Sequence, residues 1–404
     1  MSSSFLPPAC DSPVPCSPPI DPAPLARLHA LFATLPDARV SGRVLHRLPE
    51  VLLVALCAMV SDCEDFTDMG HFAQSQLEWL RRFTPLVHGA PSHDVFRNVF
   101  MSLRPEALLE VMQQWVGELG GQHLAIDGKV SRGAKDPVTG KSTLHLLRAW
   151  VGAASLSVGY AACADKSNEL EALPRLLASL QLKGAVVTID AMAGHPHVAE
   201  LLHEAGADYV LALKANEKNA FEAVKARFAT GRPEGPGTTW PPESWQEAGT
   251  REMNRGRYEQ RDVVVCLDLE WFDKSWKWPG LQSVIEVRRQ TMRQRHSKEQ
   301  PTEEYHYYLS SLPPDAVRLG DFIRAHWSVE NQCHHVLDVT YHEDHCQVRD
   351  RTAAQNLTLV REISTKFIKA SPGKGSLRSK RKRSALDPRF RETITNQIFQ
   401  TFGA

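Results

Sequence analysis

Apolar residues recur at helical spacing through the first quarter of the chain. Near the start they stand three or four residues apart, at Leu28, Leu31, Phe32 and Leu35, which is the period of one helix face. The most apolar run, VLLVALCAMV at residues 51–60, is about half of the ~20 residues that a membrane-spanning helix needs. We therefore expect a buried helix there, no membrane span, and an all-helical N-terminal domain over residues 25–120.

The pattern changes to short apolar runs after residue 120. Strands are predicted in HLAID, TLHLLRAWV, LSVGYAACA, AVVTID and DYVLALK, because short apolar runs bounded by turn residues are typical of buried strands. Helices are predicted for SNELEALPRLLASL and PHVAELLHEAG. The resulting order, β-β-β-α-β-α-β, is that of the ribonuclease-H-like fold, in which the first and fourth strands lie side by side and parallel. We therefore expect an α/β fold with a ribonuclease-H-like core.

The α/β alternation stops between about residues 219 and 301. This segment holds turn-forming Pro and Gly, five of the nine tryptophans, and β-like runs such as DVVVCLDLEWF, so we predict a β-rich insertion. A strand, YHYYLSSL, and a helix, DFIRAHWSVENQCHHVLD, follow it. The predicted layout is a flexible Ser/Pro-rich tail at 1–24, the helical domain at 25–120 for DNA binding or dimerisation, a catalytic domain with the insertion at 121–370, and a basic tail at 371–404.

Charge is balanced over the whole chain but not along it. The 404 residues include 47 Lys plus Arg and 47 Asp plus Glu, and zero net charge argues mildly against a nucleic-acid partner. Residues 366–391, however, hold ten Lys or Arg against one Asp, and the insertion contains the basic run VRRQTMRQRHSK. Such runs usually are solvated surface, but in a DNA enzyme they bind phosphates regardless of sequence. The predicted phosphate contacts in the first run are Lys380, Arg381, Lys382 and Arg383.

Eight cysteines occur without a CxxC pair and without a signal peptide, which predicts reduced thiols in a cytosolic protein. Several of them share one region with histidines: His326, Cys333, His334, His335, His342, His345 and Cys346. Thiolate and imidazole are zinc ligands, but the spacing forms no regular ligand pairs. We expect these side chains to touch DNA phosphate or to cap and pack.

Three acidic residues stand at the end of a predicted strand or on a predicted helix. Asp127 ends the strand HLAID, Asp190 ends AVVTID, and Glu330 lies on the late helix. The carboxyl ends of parallel strands are where open α/β sheets usually build sites. Three carboxylates from separate elements can hold two divalent ions, and two ions ~3.5–4 Å apart clamp the attacking and leaving oxygens of a phosphodiester.

Each acid also has an ordinary structural interpretation. Asp127 precedes Gly128, a pair that often forms a turn, and a strand-end acid such as Asp190 is often only a cap. Glu330 shares a helical stripe with apolar residues, where an acid is costly unless it is paired or metal-bound, and a salt bridge to Arg324 is the alternative. Competing acids nearby are Asp338, Glu343 and Asp344.

The sequence resembles the DDE-type transposases of bacterial insertion sequences, in particular the H-repeat-associated group. The resemblance runs from about Arg39 to Lys369 and rests on several segments taken together and in order: LAIDGKVSRGA, HLLRAWV, DKSNELEALPRLLASLQLKGAVVTIDAM, DYVLALKANE, YHYYLSSL and AHWSVENQCHHVLDVTYHEDHCQVR. It implies a ribonuclease-H-like core, a β insertion before the last acid, and Mg²⁺-dependent cutting and joining of transposon ends. It also implies a catalytic, metal-binding triad of Asp127, Asp190 and Glu330.

The surroundings of the glutamate depart from those of related transposases, which carry a Tyr, an Arg and a Lys around it. Leu337 stands seven residues after Glu330 in place of the Lys, and His326 stands where the Arg would be, with Arg324 two positions earlier. Arg324 and His326 are predicted to contact DNA. Further cations near the predicted site are expected to do the same, with solvated surface as the alternative: Lys129, Arg132, Lys166 and Lys214.

These observations predict a metal-dependent transposase that acts on double-stranded DNA, both transposon ends and target. Mg²⁺ is the expected ion because carboxylate and phosphate oxygens are hard ligands, and Mn²⁺ is expected to substitute. Pairing of two ends predicts a homodimer on DNA, in the cytoplasm at the bacterial nucleoid. The alternatives are a nuclease of the same fold that does not join strands, a catalytically inactive DNA-binding remnant, and a purely structural α/β protein.

Overall fold

The computed structural model describes residues 29–130, 133, 145–163, 169–190, 194–233, 239–254, 257–292 and 302–401. The predicted tail at residues 1–24 lies outside these ranges, as do Arg132 and Lys166. Among the helices within the ranges, none is both long and apolar enough to cross a membrane.

Helices fill the chain before the sheet. Their bounds are α1 Leu48–Val60, α2 Phe66–Ser75, α3 Leu77–Leu80, α4 His93–Ser102 and α5 Pro105–Val116. A proline stands in the first turn of both α1 and α5, where a missing N–H costs no intrahelical bond. Every residue from Val51 to Val60 is buried, so the prediction of a buried helix in the most apolar run is confirmed.

The next elements follow in the predicted order. They are β1 His123–Val130, β2 His145–Val151, β3 Leu156–Cys163, α6 Glu169–Ala178, β4 Val186–Ile189, α7 Pro196–Glu204 and β5 Asp208–Leu213. All residues of β2 and β4 are buried, as expected for strands covered on both faces. β1 lies antiparallel to β2 and parallel to β4. The first and fourth strands therefore lie side by side and parallel, as predicted.

The region after β5 is helical before it is β-rich. Helix α8 (Lys218–Gly231) buries Ala220, Val224 and Phe228 at a spacing of four, so the prediction of β structure is wrong for residues 219–231. The strands β6 (Trp245–Asn254), β7 (Arg257–Cys266), β8 (Ser283–Met292) and β9 (Thr302–Ser310) follow. Because β9 pairs with β5, the insertion extends the central sheet to the order β3-β2-β1-β4-β5-β9-β8-β7-β6.

The chain after β9 is mainly helical in its described part. It comprises α9 Ala316–His326, a π-helical turn Glu330–His334, α10 His335–Tyr341, α11 Arg351–Ala370, α12 Leu377–Leu386 and α13 Pro388–Thr401. The segment predicted as a basic tail at residues 371–404 therefore forms two helices within residues 377–401. Phe390, Ile394 and Ile398 of α13 are buried in one hydrophobic core with the N-terminal helices and α11.

Three hydrophobic clusters cover the sheet. The largest joins α1–α5 with α11 and α13 and includes Ala125 of β1. Leu124 and Ile126, the neighbours of Ala125, belong to a second cluster with α6–α8 on the opposite face, as the two-residue period of a strand requires. A third cluster lies under α9. The helices α1–α5 and α13 thus share one core, although they are far apart in the sequence.

Candidate active site

Asp127 and Asp190 occupy equivalent positions on neighbouring parallel strands. Ile126 of β1 pairs with Ile189 of β4, and each is followed directly by the aspartate. Adjacent strands lie about 4.8 Å apart, and residues in register point to the same face. Both aspartates therefore lie at the carboxyl edge of the β1–β4 pair, on the face that α9 covers. The prediction that Asp127 ends its strand is wrong, because β1 continues to Val130 and Asp127 pairs with Arg148 of β2.

Glu330 reaches this edge from the π-helical turn. His334, one turn later, is buried, and its Nδ1 lies 3.2 Å from Glu330 Oε2 and 3.4 Å from Asp127 Oδ2. One ligand atom from each of Asp127, Glu330 and His334 lies within 4.8 Å of the others. π-helical turns inside α-helices occur frequently at functional sites, and this one brings an acid and an imidazole to Asp127.

The three acids influence one another electrostatically. Burial raises the pKa of the Asp127 carboxyl; His334 lowers this pKa, whereas the charges of Glu330 and Asp190 raise it. The hydrogen bond with His334 lowers the pKa of the Glu330 carboxyl. Like charges gathered at a partly buried site disfavour ionisation of the group among them, and a bound cation removes that cost. The cluster of two carboxylates and one imidazole therefore fits a divalent metal ion.

Asp190 stands beside this cluster. Its carboxylate is half-exposed, and Oδ1 lies 3.7 Å from Lys214 Nζ. Its charge raises the pKa of the Tyr308 hydroxyl, which burial has already raised. The structure thus brings Asp127 and Glu330 together directly, adds His334, and places Asp190 on the adjacent strand.

His334 is the site residue that sequence reasoning does not assign. The sequence places it only in the helical stripe of Glu330 and in the Cys/His group. The four-residue spacing from Glu330 puts both side chains on one helix face, and that spacing is the available signal. Within the described ranges, the rest of the Cys/His group does not form a three-ligand cluster, and His342 Nδ1 instead lies 2.7 Å from Glu64 Oε1.

Comparison with known families agrees with this geometry. The family model described as "Transposase DDE domain" matches residues 118–363, well over half of the chain. A second model, described as "DDE_Tnp_1-associated", matches residues 29–116. The chain belongs to the DDE transposase family. Membership implies the use of a divalent metal, for which the Asp127, Glu330 and His334 cluster is suited.

Relatives of this transposase extend over nearly its whole length. The "H repeat-associated putative transposase YhhI" of Escherichia coli strain K12 is 28% identical over 376 residues, 92% of this chain and 98% of the relative. The "Putative transposase YncI" of E. coli O157:H7 is 29% identical over 369 residues, 90% and 93% of the two chains. The predicted resemblance to the H-repeat-associated group is confirmed. A piggyBac transposase solved in a synaptic complex with hairpin DNA aligns over 94% of this chain and 79% of its own, with 10% identity and a TM-score of 0.41.

Two predicted DNA contacts of the transposase are wrong because the side chains are buried. Lys129 is 8% exposed, and its ammonium group pairs with Asp338. Arg381 is fully buried; it donates hydrogen bonds to backbone carbonyls of Met59 and Cys63 at 3.1 and 3.0 Å. Neither cation can reach a phosphate in this fold.

The other predicted contacts lie at or near the surface. Lys214 and Lys382 are exposed, as are Arg324, which pairs with Glu252, and Arg383, which pairs with Asp387. Lys380 and His326 are half-buried. Burial lowers the pKa of His326 and so disfavours the charged form of its ring.

The acids that competed with Glu330 in the sequence have structural partners. Glu343 is buried, 3.6 Å from both Arg148 and Arg361, and Asp338 pairs with Lys129. These pairs lie beneath the acid cluster and not within it. Glu330 is therefore the acid of the late helix that the structure brings to Asp127.

Proposed function

We propose that this transposase cuts the ends of its own element and joins the released 3′-hydroxyl to target DNA, with Asp127, Asp190 and Glu330 as the catalytic acids. The convergence of Asp127 and Glu330, with Asp190 in register on the next strand, carries this proposal. The order β3-β2-β1-β4-β5 with β1 and β4 parallel supports a ribonuclease-H-like core. The relatives' names include transposases, which supports DNA as the substrate.

The side chains supply complementary parts of the reaction. Asp127, Glu330 and Asp190 would hold Mg²⁺, with Mn²⁺ as a substitute; when bound, such ions polarise the phosphate and lower the pKa of a water nucleophile. His334 lies between the two convergent acids and keeps them in one orientation. Lys214, exposed beside Asp190, is placed to attract a phosphate oxygen. No covalent link between protein and DNA is required.

A strand-transfer assay with the full-length protein tests the function. With a labelled element end and Mg²⁺ we expect nicking at the end, and with a pre-cut end we expect joining to a target plasmid. EDTA should abolish both reactions. Cutting without joining would identify a nuclease of the same fold, DNA binding without either reaction would identify an inactive remnant, and cutting that persists in EDTA would contradict the metal-dependent mechanism.

The basic run near the C-terminus offers a DNA-binding face as a folded helix. Four exposed cations lie on α12, in the loop before it and at the start of α13: Lys374, Arg378, Lys382 and Arg389. Arg378 and Lys382 stand one turn apart on α12 and therefore share a face. None of these four has an ion pair within the described part of the chain, whereas Arg383 pairs with Asp387. We assign to this face the binding of the DNA backbone.

Neutralising this face should weaken DNA binding for all sequences alike. For the triple variant Lys374→Gln, Arg378→Gln and Lys382→Gln, we expect the slope of log affinity against log salt to flatten by up to about 0.9 for each phosphate that the variant no longer neutralises. Fluorescence anisotropy with end DNA and scrambled DNA, over a salt series, measures this. The control replaces three exposed lysines elsewhere, Lys225, Lys274 and Lys277. An equal weakening in the control, or none in the α12 variant, would place the interface elsewhere.

Two further features belong to the proposal. Transposition joins two ends, so we propose that two copies of the chain act together on DNA, at the nucleoid of the cell. The N-terminal helices share one core with α11 and α13. This shared core favours a packing role for them over reading of the end sequence.

A further inference from the structure

A buried ionic network lies beneath the acid cluster. It consists of three cations and three acids, which we call the ionic hub: Lys129, Arg148, Arg361, Asp338, Glu343 and Glu362. All except Asp338 are less than 9% exposed. The charges balance, and the hub joins strands β1 and β2 to α10, to α11 and to the turn between them.

Arg148 connects the hub to both sides of the acid cluster. On β2 it is the register partner of Asp127. Its Nη1 donates to Glu362 Oε1 and to Cys333 Sγ, each at 3.2 Å. Cys333 lies within the π-helical turn, next to His334 and three residues after Glu330. A single guanidinium therefore links the strand beside Asp127 with the turn that carries Glu330 and His334.

The acids of the hub are themselves held in place. Glu362 accepts a hydrogen bond from the Tyr160 hydroxyl and another from the Ser157 backbone N–H at 3.0 Å. Glu343 accepts from the Thr358 hydroxyl at 2.6 Å and faces Arg361. Glu362 is thus held by donors of β2 and β3, and Glu343 lies against cations of β2 and α11. Charge-assisted hydrogen bonds such as that from Arg148 to Glu362 are directional.

Stability alone does not account for this network. Replacing a buried ionic cluster with apolar residues of similar volume is often neutral or stabilising, and large hydrophobic cores lie on both faces of the same sheet. What apolar packing does not supply is a fixed orientation between β1, β2 and the π-helical turn. Metal sites depend on such support, because outer partners orient the ligands.

We propose that the ionic hub is a positioning device that holds Glu330 and His334 against Asp127 and thereby sets the affinity of the acid cluster for its divalent ion. The inference rests on the proposed function, since it requires that the cluster bind metal. Arg148 is the central positioning residue, and its hydrogen bond to Cys333 fixes the position of the turn. None of the hub residues needs to touch DNA or the ion.

The test measures Mn²⁺ affinity by electron paramagnetic resonance on the full-length protein without DNA. For Arg148→Met we expect Mn²⁺ binding 10- to 100-fold weaker, about the loss seen when outer partners of metal ligands are removed. Cys333→Ala should cause a smaller loss in the same direction. The matched control is Arg232→Met, which breaks the pair with buried Glu286 in the insertion, where Nη2 lies 2.7 Å from Oε1. It should leave Mn²⁺ affinity unchanged.

A second pair of variants separates positioning from folding. If Arg148→Met does not fold, Arg148→Lys and the double variant Arg148→Met with Glu362→Leu take its place. The double variant removes the uncompensated charge, so we expect it to recover thermal stability but not Mn²⁺ affinity. Wild-type affinity in a folded hub variant, or an equal loss in Arg232→Met, would overturn the inference. Mn²⁺ binding that survives Asp127→Asn would instead contradict the proposed metal site itself.

Discussion

Asp127→Asn, Asp190→Asn and Glu330→Gln are each expected to lower the rate of strand cleavage by about a thousandfold or more. A bound ion stabilises the transition state by several kcal/mol, and a loss of about 4 kcal/mol corresponds to a factor of ~10³. The substitutions keep the side-chain volume, so folding should be retained. Cleavage of labelled end DNA measures the rate, while circular dichroism and DNA binding in EDTA report the fold and the interface.

An exposed aspartate on the neighbouring helix serves as the control for this series. Asp321 of α9 is exposed, and Asp321→Asn should cut at nearly the wild-type rate. His334→Asn decides between two forms of the site. If it abolishes cutting while Asp190→Asn does not, the metal ligands are Asp127, Glu330 and His334, and the assignment of Asp190 is wrong.

Arg381→Met should be among the most destabilising single changes in the chain. Its guanidinium donates to carbonyls of Met59, Cys63 and Thr340, lies 3.4 Å from Asp62 Oδ1 and stacks over the Tyr341 ring at 4.1 Å. Removing one partner of a buried charge pair costs about 3–5 kcal/mol. We expect a loss of that order in the free energy of unfolding, measured by urea denaturation.

Lys382→Met, one position along the same helix, is the matched control. Lys382 is exposed, and surface substitutions usually change stability by no more than about 0.5 kcal/mol. The two variants should separate two roles within one basic run, with Arg381 anchoring the helix and Lys382 on the exposed face that is proposed to bind the DNA backbone. Comparable stability of both variants would contradict the anchoring role.

Much of the catalytic sheet could be predicted because its elements are locally encoded. The strands HLAID and AVVTID and the helix between them follow from apolar period and turn residues, and those rules depend only on neighbours in sequence. The neighbouring positions of Asp127 and Asp190 then follow from topology, since each aspartate comes directly after the last paired residue of two adjacent parallel strands. The helix α8 was missed because the Pro- and Gly-rich run RPEGPG that follows it favoured a β-rich interpretation of the whole segment, although its buried residues Ala220, Val224 and Phe228 stand four apart.

The C-terminal run shows where local rules fail. The helix α12 reads LRSKRKRSAL and has no apolar face, and of its charged residues only Arg381 is fully buried. Its partners are backbone carbonyls from α1, the turn after it and α10, which lie far away in sequence. Composition therefore predicts a solvated tail, whereas tertiary contacts make the segment a packed helix.

The sequence by itself determined the family, the order of strands and helices up to β5, and the two aspartates on neighbouring strands, because these depend on short-range pattern and on motifs in order. Only the tertiary structure decided that His334 joins Asp127 and Glu330, that Lys129 and Arg381 face inward, and that an ionic hub supports the site. Those outcomes depend on which distant groups compensate a buried charge. Desolvation makes an unpaired charge costly. A cation therefore lies inside the protein only where a partner stands nearby, and otherwise it stays at the surface. The spacing of residues along the sequence does not record where that partner stands.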